Sequence, residues 1–350
     1  MKIAIITCHN QPDYIRAVTL RKAVSQLPDH VAVIIKNKHT GVLRYPEMIA
    51  RLATLRIRHN PDTYLLTFRG YELLPFACLL TWPKTLIYDE FINPIEWLQE
   101  PRSEKWAKLI PIALLKPFYK VLLKRCKYIL VDTQAHAQYS AQIMNMSSKK
   151  FTALPVSTNE EMFKPSKQRT TKTFKVFYYG NMLALHGLEV VLDAALQLKS
   201  YPIEFRLIGG KKAMADKVRE AQANGANISY EPWTAFDTFP SEISSASLCL
   251  GGPFGTTPQS QRVITGKTYQ FLASAAPTVV GENLASSDFK DKENCLKIQL
   301  GNSEALAEAI VWALEHPKQL ATIAANGRKL YDKKYSIEKL SDQLSRILAA

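Results

Sequence analysis

Residues 265–281 read TGKTYQFLASAAPTVVG: small and aromatic residues around one lysine near the start and a glutamine three places later, halted by a proline before a Val-Val pair. With Thr265 as the capping residue, Lys267 to Ser274 fill about two helical turns and bring Tyr269, Leu272 and Ala273 to one face. The helix ends before Pro277, because the residue ahead of a proline is pushed out of helical backbone, and TVVG then reads as a buried strand. Aimed at a cleft, the start of such a helix presents an electropositive end to an anion. The same residues equally suit an ordinary helix of an α/β protein, so the reading turns on what surrounds them.

Short apolar runs alternate with helical stretches on both sides of this segment. Upstream lie IAIIT (3–7), VAVIIK (31–36), YLLTF (64–68), TLIY (85–88) and YILVD (128–132), then KVFYY (175–179), FRLIG (205–209) and SLCLG (247–251), with TVVG (278–281) closing the series. Alternation of this kind predicts parallel sheets covered by helices on both faces. Between the halves, PSKQRTTKT (165–173) has no apolar side chain apart from its proline and carries Lys167, Arg169 and Lys172, the composition of a linker. The expected organisation is therefore a first domain over 1–164, a linker over 165–173, a second domain over 174–335, and a final helix over 336–350 that packs back toward the first domain. Two doubly wound domains joined this way would place ligands at the carboxyl edges of their strands, in a cleft.

Length and composition agree with two cores. The 350 residues are 47% hydrophobic and 22% charged, as in a folded globular protein. The net charge of +14 calls for an anionic partner: a phosphorylated small molecule, an anionic lipid surface or nucleic acid. No interleaved basic and aromatic pattern of the nucleic-acid readers is present, so no nucleic-acid partner is expected.

Half of the excess charge falls in 101–130, where Arg102, Lys105, Lys108, Lys116, Lys120, Lys124, Arg125 and Lys127 face only Glu104. Within it, WAKLIPIALLKPFYKVLLKRCKY (106–128) is apolar and basic together, which suits a segment lying on an anionic membrane surface through 102–127 and suits equally a domain helix with a solvated basic face. No apolar run approaches the roughly 18 residues that span a bilayer. The start, MKIAIITCHN, reads as a first strand more than as a signal peptide, which points to a cytoplasmic protein. Cys8, Cys78, Cys126, Cys249 and Cys295 are far apart in sequence and form no metal or redox spacing. Most lie in apolar contexts and read as small core residues.

Two common nucleotide sites are excluded. IAIITCHNQPDYIR has no glycine after the first strand, so a dinucleotide fingerprint is missing, and no Walker sequence occurs. The nearest glycine-bearing turn opens the second half: in VFYYGNMLALHGLEVVLDAALQL, Gly180 ends a strand and Gly187 begins a helix, a connection that permits close approach of a phosphate and that also serves plain strand-to-helix linkage. Downstream follow FRLIGG with Gly209, ISYEPWTAFDTFPSEISSASLCLGG, and PFGTTPQSQRVITGKTYQFLASAAPTVVGEN.

This series resembles the donor-binding half of glycosyltransferase family 4, whose members are retaining enzymes of the GT-B fold and carry a K-x-x-E-x-L-A-x-G-x-P-V-V helix in the place of the opening segment. Upstream, NPDTYLLTFRGYELLP, IYDEFINPIEW and VDTQAHAQYSAQIMNMSSKKFTALPVSTNEEMFKP are similar to the acceptor half of a bacterial and archaeal branch of the same family. The resemblance covers nearly the whole chain. It implies an α/β fold of two Rossmann-like domains facing across a cleft, and transfer of a sugar from a nucleotide donor such as a UDP- or GDP-sugar to a glycan or lipid-linked acceptor. It implies no metal and no cofactor.

The resemblance also shows where this sequence departs from the family. The paired glutamates, with seven residues between them, fall on Arg262 and Gln270, and the Arg and Lys that flank the glycine turn are replaced by Asn181 and His186. Gln270 would still hydrogen-bond a ribose hydroxyl. Arg262 and Lys267, with the backbone of Thr265, Gly266 and Lys267, would hold the departing diphosphate, where negative charge grows in the transition state. His186 would assist them. Trp233 would border the base or serve as a loop aromatic. On the acceptor side, Asp89 and Glu90 are expected to orient the acceptor hydroxyl or take its proton, or else to cap helices; His9, Asn10, Arg69, Tyr71 and Glu72 would line the acceptor. Loss of the glutamate pair leaves a second reading open, a non-catalytic GT-B protein that binds a nucleotide sugar or a partner. A third, a nucleotide-sugar epimerase, is disfavoured by the acceptor-half resemblance.

Overall fold

The computed structural model describes residues 1–99, 111–166 and 173–349. The chain forms two compact units, one of residues 1–156 with 337–350 and one of residues 157–336. The first opens with β1 (Lys2–Thr7), α1 (Ile15–Ser25), β2 (Val31–Lys36), α2 (Arg44–Arg58), β3 (Thr63–Thr67), α3 (Leu74–Leu80), β4 (Thr85–Asp89) and α4 (Pro94–Gln99). It continues with α5 (Ile112–Arg125), β5 (Tyr128–Val131), α6 (Gln134–Met144) and β6 (Phe151–Ala153). Its sheet runs β2-β1-β3-β4-β5-β6, parallel throughout. The inner strands are buried on both faces: every residue of β3 and five of the six in β1 are shielded from solvent. That is why they read as continuous apolar runs in the sequence and do not alternate.

The second unit contains β7 (Phe174–Gly180), α7 (Leu188–Gln197), β8 (Ile203–Gly209), α8 (Lys212–Ala223), β9 (Ile228–Glu231) and α9 (Phe239–Ser245). After these come β10 (Leu248–Leu250), α10 (Gly266–Ala273), β11 (Thr278–Glu282), β12 (Leu296–Gln299), α11 (Ser303–Glu315) and α12 (Pro317–Lys334). Its parallel sheet runs β12-β11-β10-β7-β8-β9. The unit's first strand, β7, is therefore central, and the chain winds outward from it in both directions. In such a sheet the crevice outside the carboxyl ends of the two strands where winding reverses, here β7 and β10, is where ligands bind.

The last helix, α13 (Ile337–Ala349), belongs to the first unit. Leu340 and Leu344 are buried with Ile3, Ile5, Leu20 and Val24, and the Ser341 hydroxyl donates to the Ala23 carbonyl at 2.9 Å. Three strands escaped the sequence reading: β6, β9 and β12. All three are sheet edges, and a short edge strand such as FTA, ISYE or LKIQ carries no apolar run to reveal it. The linker call over 165–173 and Arg102, Lys105 and Lys108 of the basic segment fall almost wholly outside the described residues. Among the described residues no helix is long and apolar enough to cross a membrane.

The opening segment forms its helix one residue earlier than expected, at Gly266–Ala273, and it is not one-sided. Lys267 through Ala273 are all buried. Thr268 is pressed toward the end of β10, where a Cβ on Gly251 would lie 2.6 Å from its hydroxyl. Thr265 starts the helix, but its hydroxyl does not accept from a helix N–H: it donates to the Gly251 carbonyl at 2.6 Å. That bond fixes the start of α10 to the end of β10.

Candidate functional site

The first turn of α10 sits at the reversal point of the second unit's sheet. Thr265 ties it to the end of β10, and the Lys267 ammonium donates to the Tyr179 carbonyl at 3.3 Å, at the end of β7. An α-helix leaves its first N–H groups without intrahelical partners. The Thr265 side chain takes none of them and the Thr268 N–H bonds the Thr265 carbonyl at 3.0 Å, which leaves the Gly266 and Lys267 N–H groups as the donors of this turn. The β7–α7 turn lies against the same place. Gly187 has φ +66°, and a Cβ there would come within 2.5 Å of the Gly255 nitrogen, so only glycine lets this turn rest on the loop that follows β10. Gly209, at the end of β8, is held as closely: a Cβ would lie 2.3 Å from the Gly180 carbonyl oxygen.

The electrostatics of this edge are unusual. Lys267 is buried, its ammonium 3.8 Å from the centre of the Tyr178 ring. Among the described residues no carboxylate pairs with it. Burial without a counter-ion disfavours the charge and lowers its pKa from 10.5 to about 7. The neighbouring His186 falls to about 3, first through burial and then through repulsion from Lys267, so it is neutral at physiological pH. Its Nδ1 is enclosed with no hydrogen-bond partner among the described residues. A buried lysine without a carboxylate, an orphaned ring nitrogen and a helix start thus converge, and each is better satisfied when an anion arrives.

The other second-unit candidates divide. Gln270 is buried, its Oε1 accepting from the Tyr179 hydroxyl, which leaves the amide NH2 as the group able to meet a ligand. Arg262 is also buried and donates from Nη1 to the Pro258 carbonyl at 2.7 Å within the loop between β10 and α10. Asn181 is exposed in the turn after β7. Trp233 is 75% exposed after β9, the sheet's edge strand, two positions from β7. The sequence reading missed Tyr178 and Tyr179, which cradle Lys267 and hold Gln270. Inside the strand run VFYYG they carried no signal beyond burial.

In the first unit the expected acceptor residues gather at the carboxyl edge of β1, β3 and β4, and the structure alters what two of them can do. Asp89 is fully buried. Its Oδ1 receives Arg16 Nε at 3.0 Å and Arg16 Nη2 at 2.7 Å, and its Oδ2 receives the Phe68 N–H at 3.0 Å. With both oxygens accepting inside the core, it holds α1 to the β3 and β4 ends. Arg16, unnoticed in the sequence, also donates to the Leu154 and Pro155 carbonyls. Glu90 is fully buried as well, bonded at Oε1 by Asn93 at 3.1 Å, while its Oε2 has no partner among the described residues. Burial raises its pKa against the attraction of His136, 3.9 Å away. Burial alone would lower His136, but Asp132, 2.6 Å from its Nδ1, overcomes this and raises it.

The remaining candidates form one surface network. Asn10 Oδ1 accepts from the Gly41 N–H and from Arg44 Nη1, and Arg44 reaches Glu72 at 3.5 Å. Burial raises Glu72. Arg69, at φ +54°, donates to the Tyr71 hydroxyl at 2.8 Å and lies over the Trp97 ring. His9 accepts from the Gln11 N–H at Nδ1 and stands edge-on to Phe68 with ring centres 4.7 Å apart; burial lowers its pKa to about 4. Phe68 in turn stacks on Tyr14 and meets Phe91, which gives the edge an aromatic floor.

Among the described residues no group of three or more His, Cys, Asp or Glu side chains is placed to hold a metal. On α5, Leu114, Phe118 and Val121 are exposed along one helical stripe, and neighbouring α3 exposes Phe76 and Leu79, with Trp82 just beyond. Exposed Lys124 lies one turn beyond Val121, whereas Lys120 donates to the Asn145 carbonyl at 2.6 Å.

No family model matches the sequence, and no curated protein matches it significantly. Among solved structures, the chain is similar over its full length to HepE of Anabaena in complex with UDP, at 13% identity and a TM-score of 0.72 with all of both chains covered. It is similar to sucrose-phosphate synthase of Thermosynechococcus elongatus, at 13% identity and a TM-score of 0.78, covering 100% of this chain and 98% of that one. A glycosyltransferase from Rickettsia africae gives 14% identity and a TM-score of 0.75, covering 99% and 97%. The fold is that of the GT-B glycosyltransferases. The two six-stranded parallel sheets, each wrapped by helices, carry that likeness.

Proposed function

We propose that this protein is a retaining glycosyltransferase of family 4 type that moves a hexosyl group from a nucleotide-diphosphate sugar to a glycan or lipid-linked acceptor in cell-envelope synthesis. One observation carries the reading: the first turn of α10, with buried Lys267, meets the glycine turn and the orphaned His186 nitrogen at the reversal point of the second unit's sheet. That unit is the donor-binding half in this proposal and the first unit the acceptor-binding half. HepE has been solved with UDP, with UDP and glucose, and with UDP-glucose, which favours a uridine donor here.

In the proposed reaction the bond between the anomeric carbon and the diphosphate oxygen breaks as the acceptor hydroxyl attacks from the same face, and the hydroxyl proton passes to the departing phosphate. Lys267, the first-turn N–H groups of α10 and Arg262 would receive the charge that grows on the diphosphate. Gln270 would meet the ribose, and Trp233 would border the base. Asp89, paired with Arg16, would hold the acceptor edge in place. Glu90, enclosed beneath the acceptor edge, would position groups there, and no metal or cofactor is invoked.

The test is a screen of UDP-, GDP- and other nucleotide sugars for thermal stabilisation, followed by donor hydrolysis and transfer assays. Stabilisation by one donor with release of its nucleoside diphosphate is the expected result. Binding without turnover on any acceptor would instead favour a nucleotide-sugar binding module, the outcome that loss of the glutamate pair at positions 262 and 270 makes specific. No stabilisation by any nucleotide sugar would refute the proposal.

The working place in this reading is the cytoplasmic face of a membrane. The exposed Leu114, Phe118 and Val121 stripe would enter the lipid interface, with Lys124 beside it and Lys116, Lys120 and Lys127 adding positive charge to the same segment. Vesicles rich in anionic lipid should sediment the protein, and changing Lys116, Lys120 and Lys124 to Glu should weaken vesicle affinity by on the order of a hundredfold, at about 1 kcal/mol per basic residue. Equal recovery with neutral vesicles would count against it.

A further inference from the structure

Five free cysteines with no common spacing are not all solitary in the fold. Cys78 on α3 and Cys126, the residue that ends α5, point at one carbonyl: their thiols donate to Leu122 O at 3.7 and 3.6 Å. Sharing that acceptor brings the two sulfurs to one place, close enough for each to bear on the other's titration. We propose that Cys78 and Cys126 are a redox modification site, forming a reversible disulfide when a hydroperoxide reaches the protein. The two elements already pack together, so the bond closes between neighbours.

The division of labour follows from the surroundings. Cys78 is only partly buried and is the thiol that a small oxidant meets first, whereas Cys126 is fully enclosed. The neighbouring Cys126 lowers the pKa of Cys78 against the effect of burial, and the Arg125 guanidinium adds to that lowering. Cys126 is pushed the other way, first by its neighbour Cys78 and then by burial. Cys8 and Cys295 are pushed up to about 12 by burial, and Cys249 is raised for the same reason, which leaves them as unreactive core thiols. In the first step the Cys78 thiolate attacks one oxygen of hydrogen peroxide; a sulfur–oxygen bond forms, the oxygen–oxygen bond breaks, and hydroxide leaves. Cys126 then gives up its proton and attacks that sulfur, forming the disulfide and expelling the second oxygen. The net change is two thiols and one peroxide to one disulfide and two waters, and a dithiol reverses it.

The linkage has a place to act. α3 follows directly on the Gly70–Glu72 turn that carries Tyr71 and Glu72, and α5 carries the exposed apolar stripe. A disulfide would lock those two helices together.

The test treats the reduced full-length protein with stoichiometric hydrogen peroxide, alkylates the remaining thiols and maps the digest by mass spectrometry. The expected product is the Cys78 peptide joined to the Cys126 peptide, lighter than their sum by two hydrogens and separated again by dithiothreitol. In Cys126→Ser, Cys78 should be trapped by dimedone as a sulfenic acid; in Cys78→Ser, Cys126 should stay reduced. Mapping on the unaltered protein decides the matter whether or not the variants fold. Cys78 remaining reduced, passing to sulfinic acid without linkage, or joining a different cysteine would overturn the proposal.

Discussion

A diphosphate bound at the start of α10 must bring a proton with it above neutrality. Unliganded Lys267 has a pKa of about 7 because it is buried without a counter-ion. A pyrophosphate beside it supplies the missing negative charge and restores the ammonium's preference for protonation. Between the two pKa values, binding and protonation are linked, and affinity weakens by up to tenfold, about 1.4 kcal/mol, per pH unit. Half of the unliganded Lys267 is charged at about pH 7 and about 3% at about pH 8.5, so the dissociation constant for UDP should rise roughly fifteenfold over that interval. The terminal phosphate, with its second pKa near 6, is almost fully ionised throughout and adds little slope. His186, held to about 3, stays neutral and adds none. Calorimetry in two buffers of different ionisation enthalpy should find close to one proton taken up per UDP at the higher pH. The sign for the unliganded protein is opposite: a depressed lysine penalises the fold fully below about 7, and the penalty is relieved as pH rises from there toward 10.5. Lys267→Met should flatten the binding slope and abolish the uptake. A slope that survives in Lys267→Met, or affinity that does not vary with pH while UDP binds tightly, would refute the argument.

Three other perturbations test the scaffold. Asp89→Asn leaves Arg16 as an unpaired buried charge and should cost about 3–5 kcal/mol, read as a lowered urea midpoint; replacing Arg16 and Asp89 together by apolar residues should recover much of it. Gly187→Ala forces a side chain into a left-handed backbone against Gly255, costing about 1–3 kcal/mol and weakening UDP more than the loss of stability alone explains. Leu344→Ala opens a cavity where α13 meets α1 and should cost about 2–5 kcal/mol, with hydrogen exchange rising in α1 and β1 if α13 is integral to the first unit.

The fold was legible where burial wrote it into composition. Central strands such as IAIIT and YLLTF are apolar throughout because both faces are covered, and the alternation with helices announced parallel sheets. The edge strands β6, β9 and β12 left no such trace, since their pairing is decided by neighbours remote in sequence. The site was legible in part for the same reason. Gly187 and Lys267 stood out because a glycine at a turn and a lysine in an apolar helix each break a local pattern. Asp89 drew attention for the right property, a carboxylate after a strand, but its partner Arg16 lies 73 positions away, and no local pattern tells an ion-paired carboxylate from a free one. The convergence of Cys78 and Cys126 was hidden in the same way.

That distinction bears on the glutamate that the resemblance leads one to expect at position 270. A carboxylate there would stand one helical turn from Lys267, three residues on in α10, within the range where opposite charges attract. Lys267 would then be held charged in the empty protein, already paired. With Gln270 instead, the amide oxygen accepts from Tyr179, no carboxylate among the described residues answers Lys267, and burial suppresses its charge. On the proposed function, a glutamine here would leave the lysine's counter-ion to the substrate, so that part of the electrostatic stabilisation of this edge would appear only when the diphosphate is bound. On this argument the missing carboxylate changes when the site becomes charged, and the proton that arrives with the nucleotide is the measurable sign of that change.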